Sequence, residues 1–240
     1  MANNLDSFAD AYKGSNIYDY DNEIMLKWYS NRIVSLTKGA TSLLELGLGH
    51  GHTTNILSEN FSRHVVLDGS AKVIRHFNEN YPLCPVEIIE TFFENFESDE
   101  TFDVIVLGFI LEHVDDPVVV MNHFKNFLSP NGKMFVSVPN AEVMNRKLGN
   151  LAGLLDDMTL LSPNDHLLGH QRFYTVQTLT EDINLSGFTI DRLEGIYLKP
   201  LTTSQMISLG LNTSLIDALC LLGIEYPELS CGLLAEISAL

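Results

Sequence analysis

Apolar residues along the chain fall into short blocks that alternate between helical and strand spacing. After Asp21, a polar residue suited to cap a helix, Met25, Trp28, Tyr29, Ile33 and Leu36 recur at helical intervals. Ser42-Leu-Leu-Glu-Leu46 is a compact apolar run ending in a glycine loop, which predicts a buried strand and then a helix over about 52–60. His64-Val-Val-Leu-Asp68 predicts a second strand, and Val73, Ile74 and Phe77 give the next helix a core face. Residues 85–90 and 102–107 predict strands three and four. Asp116-Pro117 opens a helix, because the carboxylate accepts from free backbone amides and proline suits the first turn. That helix is expected to bury Val120, Phe124, Phe127 and Leu128. It stops at the turn Ser129-Pro-Asn-Gly132, before a fifth strand over 134–138.

The alternation lapses from Pro139 to Tyr174. A helix over 175–186, a strand over 188–197, a second irregular stretch over 199–229 and a last apolar run over 231–237 complete the pattern. Strands alternating with helices imply an α/β fold, a doubly wound and mostly parallel sheet covered on both faces. Ligands of such sheets bind beyond the carboxyl ends of the strands, where strand order reverses. One domain is expected over 1–240, with a lid or helical segment over 1–38 and a cofactor-binding core over 40–140. The insertions over 140–175 and 199–229 are expected to form a substrate cap.

Composition narrows the classes of function. A hydrophobic fraction of 45% in 240 residues supports one well-buried core. The formal net charge of −17 repels phosphate backbones, so no nucleic-acid partner is expected. Cys84, Cys220 and Cys231 have no metal-ligand spacing, and no metal is expected. The first residues lack the basic-then-apolar order of an export signal, and no apolar run approaches the roughly 20 residues that span a bilayer. A cytoplasmic protein without a membrane partner is the expectation, with a homodimer left open.

The chemistry concentrates first in Glu45-Leu-Gly-Leu-Gly-His-Gly51. Gly47 and Gly49 let the backbone turn tightly and approach a ligand, and the following helix offers free amides. Asp68 ends the next strand about twenty residues on, where a carboxylate can accept both hydroxyls of a ribose. A nicotinamide enzyme usually carries GxGxxG there, whereas this loop reads GxGxG after an acid.

Glu45-Leu-Gly-Leu-Gly-His-Gly-His-Thr-Thr resembles motif I of class I S-adenosylmethionine-dependent methyltransferases, and Val65-Val-Leu-Asp-Gly-Ser70 resembles their second motif. Phe102-Asp-Val-Ile-Val-Leu-Gly-Phe-Ile-Leu-Glu-His-Val-Asp-Asp-Pro117 is similar to their strand-four segment. Leu128-Ser-Pro-Asn-Gly-Lys133 is similar to the turn before strand five, with Asn131 in place of a glycine. Pro139-Asn-Ala and Gly169-His-Gln-Arg-Phe-Tyr174 look like bacterial small-molecule methyltransferases related to the ubiquinone-pathway O-methyltransferases.

The resemblance implies a sheet of seven strands with the last pair antiparallel, S-adenosyl-L-methionine as cofactor and S-adenosyl-L-homocysteine as product. By position it implies Gly47 and Gly49 at the methionine part, Glu45 orienting the loop or a water, and Asp68 with Gly69 and Ser70 at the ribose. Thr91, Phe92 and Phe93 would contact adenine, although either phenylalanine could equally be core. Backbone groups of Leu107 and Gly108 would meet the methionine amino group.

Methyl transfer from a sulfonium needs alignment, exclusion of water and removal of the acceptor's proton. His113 and His170 are the candidate bases, though Glu112-His113 would equally brace a loop. Tyr12, Tyr18, Asn140, His166, Arg172 and Tyr174 are the candidate substrate contacts. The leader tyrosines read as a lid or a docked arm, and Asn140 as a substrate contact or a turn former. The polar start of the second insertion, from Lys199, is a further candidate for the acceptor pocket, and the apolar stretch over 215–224 reads as core.

The acceptor is expected to be a small polar molecule, such as a sugar, a sugar nucleotide or a secondary metabolite, methylated on oxygen or nitrogen. The alternatives are an NAD(P)-dependent oxidoreductase, a non-catalytic cofactor-binding scaffold and a nucleic-acid methyltransferase.

Overall fold

The structure, a computed structural model, describes residues 4–7 and 17–240. Helix α1 (Asp19–Leu36) leads into β1 (Ser42–Leu46), α2 (His52–Ser58), β2 (Arg63–Asp68), α3 (Ala71–Asn80) and β3 (Glu87–Glu90). Then come β4 (Phe102–Gly108), α4 (Pro117–Phe124) and β5 (Leu128–Pro139). The chain continues through α5 (Met144–Leu151), α6 (Pro163–Leu168), α7 (Val176–Leu185) and β6 (Phe188–Leu198). Helices α8 (Thr203–Leu209) and α9 (Thr213–Glu225) precede β7 (Ser230–Ala239).

The seven strands form one sheet in the order β3-β2-β1-β4-β5-β7-β6. β7 runs antiparallel to both neighbours, and the pairings among β1 to β5 are parallel. Strand order reverses between β1 and β4, which places a crevice beyond Leu46 and Gly108. The expected doubly wound, mostly parallel sheet is the architecture found.

The sheet is sandwiched between apolar clusters, as its alternating side-chain directions require. One joins Leu44, Leu107 and Val136 to Phe124, Leu179 and Ile183 of α4 and α7. The other joins Leu43, Val106 and Phe135 to Tyr29 and Ile33 of α1 and Cys220 of α9. Asp116 caps α4 as expected, accepting from Val119 N at 3.0 Å with Pro117 beside it.

Several local expectations are corrected. Asp21 does not cap α1; it lies buried in the first turn and accepts from Lys199 Nζ at 2.7 Å and from Thr203 Oγ1. The turn at Ser129-Pro-Asn-Gly132 is absorbed into β5 as an irregularity: Leu128 pairs with Phe102, and pairing resumes at Lys133 with Val104. Asn131 takes the bend in the left-handed region at φ 67°, which explains how the strand tolerates it. The stretch after Pro139 contains α5 and α6. The second insertion backs the sheet, because α9 lies along β6 and buries Cys220 and Gly223, while α8 buries Met206. The apolar run over 215–224 is therefore core on one face, with Leu215 and Leu221 more than half exposed on the other.

Candidate active site

A cavity of about 290 Å³ opens at the switch between β1 and β4. Its walls come from α1, the loops after β1, β2 and β4, and the end of α6. Two glycines make this convergence sterically possible. Gly47 turns the chain after β1 at φ 79°, and a Cβ there would stand 2.7 Å from Ile110 Cδ1. At Gly108 a Cβ would collide with the hydroxyl of Tyr29, which bonds Thr53 Oγ1 at 2.8 Å. The next residue, Phe109, is non-glycine at φ 58°, held by its amide to the Ser137 carbonyl at 2.8 Å. A side-chain-bearing residue in that region is strained, and such strain gathers at functional sites.

At one end of the cavity, Asp68 joins the two cofactor motifs. Its Oδ2 accepts from Leu48 N at 2.9 Å and its Oδ1 from Ser70 N at 2.8 Å. Burial pushes the carboxyl up from its ordinary value, and those two amide bonds oppose the shift. A carboxylate has about four acceptor positions, so each oxygen keeps one for a ligand hydroxyl. Ser70 caps α3 and donates to Asp6 Oδ1 at 2.7 Å, while Leu5 packs over Gly69. Glu45 reaches the wall but is held by His64 Nε2 at 2.9 Å.

The adenine expectation divides. Phe93 lines the cavity while also packing edge-on against Phe124. Thr91 and Phe92 border Gly69 at the rim without lining the cavity, and Phe92 is 45% exposed. Gly108 lines the cavity; Leu107 is buried behind it.

At the other end stand Glu112, His113 and His170, all on the wall. Burial drives the Glu112 carboxyl up to about 7, against the opposing influence of His170 and Arg172. Its Oε2 has no hydrogen-bond partner. Burial and the neighbouring His170 push His113 down to about 4, against a bond to the Gly169 backbone. The two imidazoles meet edge to face at 4.8 Å. His170 Nδ1 stands 3.2 Å from Asp165 Oδ1, off the direction of a good hydrogen bond. Asp165 is fixed in turn by the Ser162 capping box of α6. Among the described residues, Glu112, His113 and His170 also form a group that could hold a metal ion, with ligand atoms within 4.8 Å of one another. Sequence spacing gave no sign of it.

Several expected substrate contacts serve the frame instead. Arg172 donates through Nη1 to the carbonyls of Leu111 and Val114 and through Nη2 to that of Asp115, clamping the loop that carries Glu112 and His113. Tyr174 is buried against the core and donates to Asp182 Oδ2 at 3.1 Å. Asn140 shapes the turn after β5, donating to the Ser230 carbonyl at 2.8 Å and accepting from Glu142 N at 3.0 Å. His166 points to solvent on α6, and Tyr18 is 42% exposed at the start of α1; neither lines the cavity. Lys199 is buried against Asp21, and no residue of the second insertion lines the cavity. Tyr12 lies outside the described residues.

The sequence reading missed Glu112 as a chemical group and the wall residues Met25, Leu26 and Tyr29. The helical periodicity that marked Met25 and Tyr29 as core was correct, but it could not show that the same face also borders a crevice.

Residues 20–193 match a family described as a methyltransferase domain. The chain is 24% identical over 207 residues to the mitochondrial ubiquinone biosynthesis O-methyltransferase of Dictyostelium discoideum, covering 79% of this chain. It spans 64% of that relative's length. It is 25% identical over 193 residues to the ubiquinone biosynthesis O-methyltransferase of Coxiella burnetii, covering 75% of this chain and 76% of the relative. Among solved structures, the N-methyltransferase NodS of Bradyrhizobium japonicum, in complex with S-adenosyl-L-homocysteine, aligns with a TM-score of 0.63 at 14% identity. That alignment covers 99% of this chain and 98% of NodS, and it speaks to the fold.

Proposed function

Because the chain belongs to this methyltransferase-domain family, we propose that it transfers the methyl group of S-adenosyl-L-methionine to an oxygen of a small molecule, leaving S-adenosyl-L-homocysteine. The observation that carries this reading is the Asp68 carboxylate, buried on the crevice wall and bonded to the amide of Leu48 within the glycine loop. Asp68 would take the ribose hydroxyls, with Gly69 and Ser70 beside it. Gly47 and Gly49 would give the methionine part its backbone bed, and Gly108 would face its amino group. Phe93 offers the adenine an apolar surface.

When bound, the cofactor supplies a methyl carbon already activated for displacement by its sulfonium. The protein's own residues then have three tasks: hold the acceptor in line, keep water out and accept a proton. Phe109, Ile110, Pro139 and Leu168 exclude water near the acceptor end. His113 and His170 stand there with Glu112, where the acceptor's proton would be taken up.

The wall carries Glu45, Asp68 and Glu112 and, among the described residues, no lysine or arginine. This favours an uncharged acceptor over a phosphorylated one, so a sugar nucleotide is the weakest of the expected substrates. Oxygen is favoured over nitrogen because both curated relatives are named as O-methyltransferases. No helix among the described residues is long and apolar enough to cross a membrane. A cytoplasmic location is part of the proposal, supported by three cysteines that are all free.

Calorimetry tests the reading. S-adenosyl-L-homocysteine should bind with roughly micromolar affinity while NADH produces no heat of binding. The reverse result would favour the oxidoreductase.

A further inference from the structure

Acids dominate the charged side chains that face the cavity. Its wall carries Glu45, Asp68 and Glu112 and, among the described residues, no lysine or arginine. The cofactor brings an amino acid into this setting, with an ammonium and a carboxylate on one carbon. An ammonium at Gly108 is attracted by Glu45 and Glu112. The carboxylate beside it is repelled by the same acids, so it needs hydrogen-bond donors from elsewhere on the wall.

Most side-chain donors of the wall are engaged. Ser70 donates to Asp6 Oδ1 at 2.7 Å, and Tyr29 and Thr53 are bonded to each other at 2.8 Å. His113 and His170 stand with Glu112, and His50 lies in the glycine loop. Asn22 differs. It is half-buried on the wall, in the first turn of α1, and its side-chain amide has no hydrogen-bond partner among the described residues. Such an amide offers two N–H donors and no charge.

Helix α1 aims that amide. Asn22, Met25, Leu26 and Tyr29 recur at helical spacing, share one face and all line the cavity. Tyr29 is deep, against Gly108 and bonded to Thr53 at the start of α2, while Asn22 lies about two helical turns closer to solvent. The face therefore extends from the tip of β4 outward over the glycine loop. The preceding residue, Asp21, is buried and pinned by Lys199 Nζ at 2.7 Å and by Thr203 Oγ1. That ion pair fixes the turn that carries Asn22.

We infer that Asn22 receives the carboxylate of the cofactor's amino-acid end, and that this contact distinguishes the complete cofactor from one without the carboxylate. The inference rests on the methyltransferase reading. The acids of the wall hold the ammonium, the Asn22 amide donates to the carboxylate, and the tail lies between them over Gly47 and Gly49. An acid in place of Asn22 would face the tail with a like charge and reject it.

The test uses the full chain at neutral pH and compares S-adenosyl-L-homocysteine with S-adenosyl-3-thiopropylamine, its decarboxylated analogue, which keeps the ammonium. Calorimetry should show the wild type binding S-adenosyl-L-homocysteine at least about tenfold more tightly, the effect of a hydrogen bond to a charged group. In Asn22→Ala the preference should fall below about threefold, while affinity for the analogue stays within about threefold of wild type. Asn22→Asp, of the same shape, should reverse the preference, because its carboxylate repels the tail's carboxylate and attracts the ammonium.

Equal affinities in the wild type, or a preference that survives in both variants, overturns the inference. A preference lost in His50→Ala and kept in Asn22→Ala also overturns it, by giving the carboxylate to His50. Failure of both compounds to bind the wild type is a separate result and overturns the methyltransferase reading itself.

Discussion

Asp68, at the tip of β2, accepts a 2.9 Å hydrogen bond from the amide of Leu48, in the middle of the glycine loop that follows β1. The bond ties a side chain that can clasp a sugar to a backbone that can bed an amino-acid tail. It links the two loops that form the crevice.

Replacing Asp68 by Asn keeps the shape and removes the charge. Charge-assisted bonds contribute about 1.5–3 kcal/mol against about 1 for neutral ones. Calorimetry of Asp68→Asn should therefore show affinity for S-adenosyl-L-homocysteine reduced roughly tenfold, with Asp68→Ala weaker still. Unchanged affinity in both variants would remove Asp68 from the ribose.

Gly108→Ala should destabilise the protein by about 1–3 kcal/mol, because the added methyl meets the Tyr29 hydroxyl. Thermal unfolding should show a drop of several degrees. Adding Tyr29→Phe should restore part of the loss, a non-additive result expected of residues in contact.

Glu112→Gln carries a pH signature. The folded-state carboxyl sits at about 7 against an ordinary 4.5, so the folded chain binds more protons than the unfolded chain between those values. The wild type therefore loses stability as pH rises through this window, by on the order of 3 kcal/mol at pH 8. Glutamine has no proton to lose. The variant should be more stable than wild type at pH 8 and close to it at pH 5, by chemical denaturation at both pH values. A constant difference would contradict the burial argument.

Arg172→Lys should loosen the loop over 111–115, since a single ammonium cannot replace a guanidinium fork that reaches three carbonyls. Amide exchange there should quicken about tenfold while affinity for S-adenosyl-L-homocysteine stays near wild type. Unaltered exchange would show that the clamp is dispensable.

The part of the crevice proposed for the cofactor was legible in the sequence because its geometry is local. A strand, a glycine turn and an acid at the next strand tip each follow from neighbouring residues, and Gly47 and Asp68 line the crevice; Gly108, which the family resemblance pointed to, lines it too. The part proposed for the acceptor was not legible. Glu112 and His170 are 58 positions apart in the chain and meet through backbone bonds made by Gln171 and Arg172. Arg172, Tyr174 and Asn140 looked like ligand contacts because polar residues in an irregular stretch lack visible partners. The partners proved to be backbone carbonyls and Asp182, which no periodicity reveals. The second insertion misled for a related reason: its loops leave the sheet at the ligand end, yet α9 turns back along β6.

A crystal grown with S-adenosyl-L-homocysteine tests the account most directly. It should show both ribose hydroxyl oxygens about 3 Å from the Asp68 carboxylate, with the amino-acid tail over Gly47 and Gly108. An empty crevice at saturating ligand, or the nucleoside bound elsewhere on the chain, would contradict it.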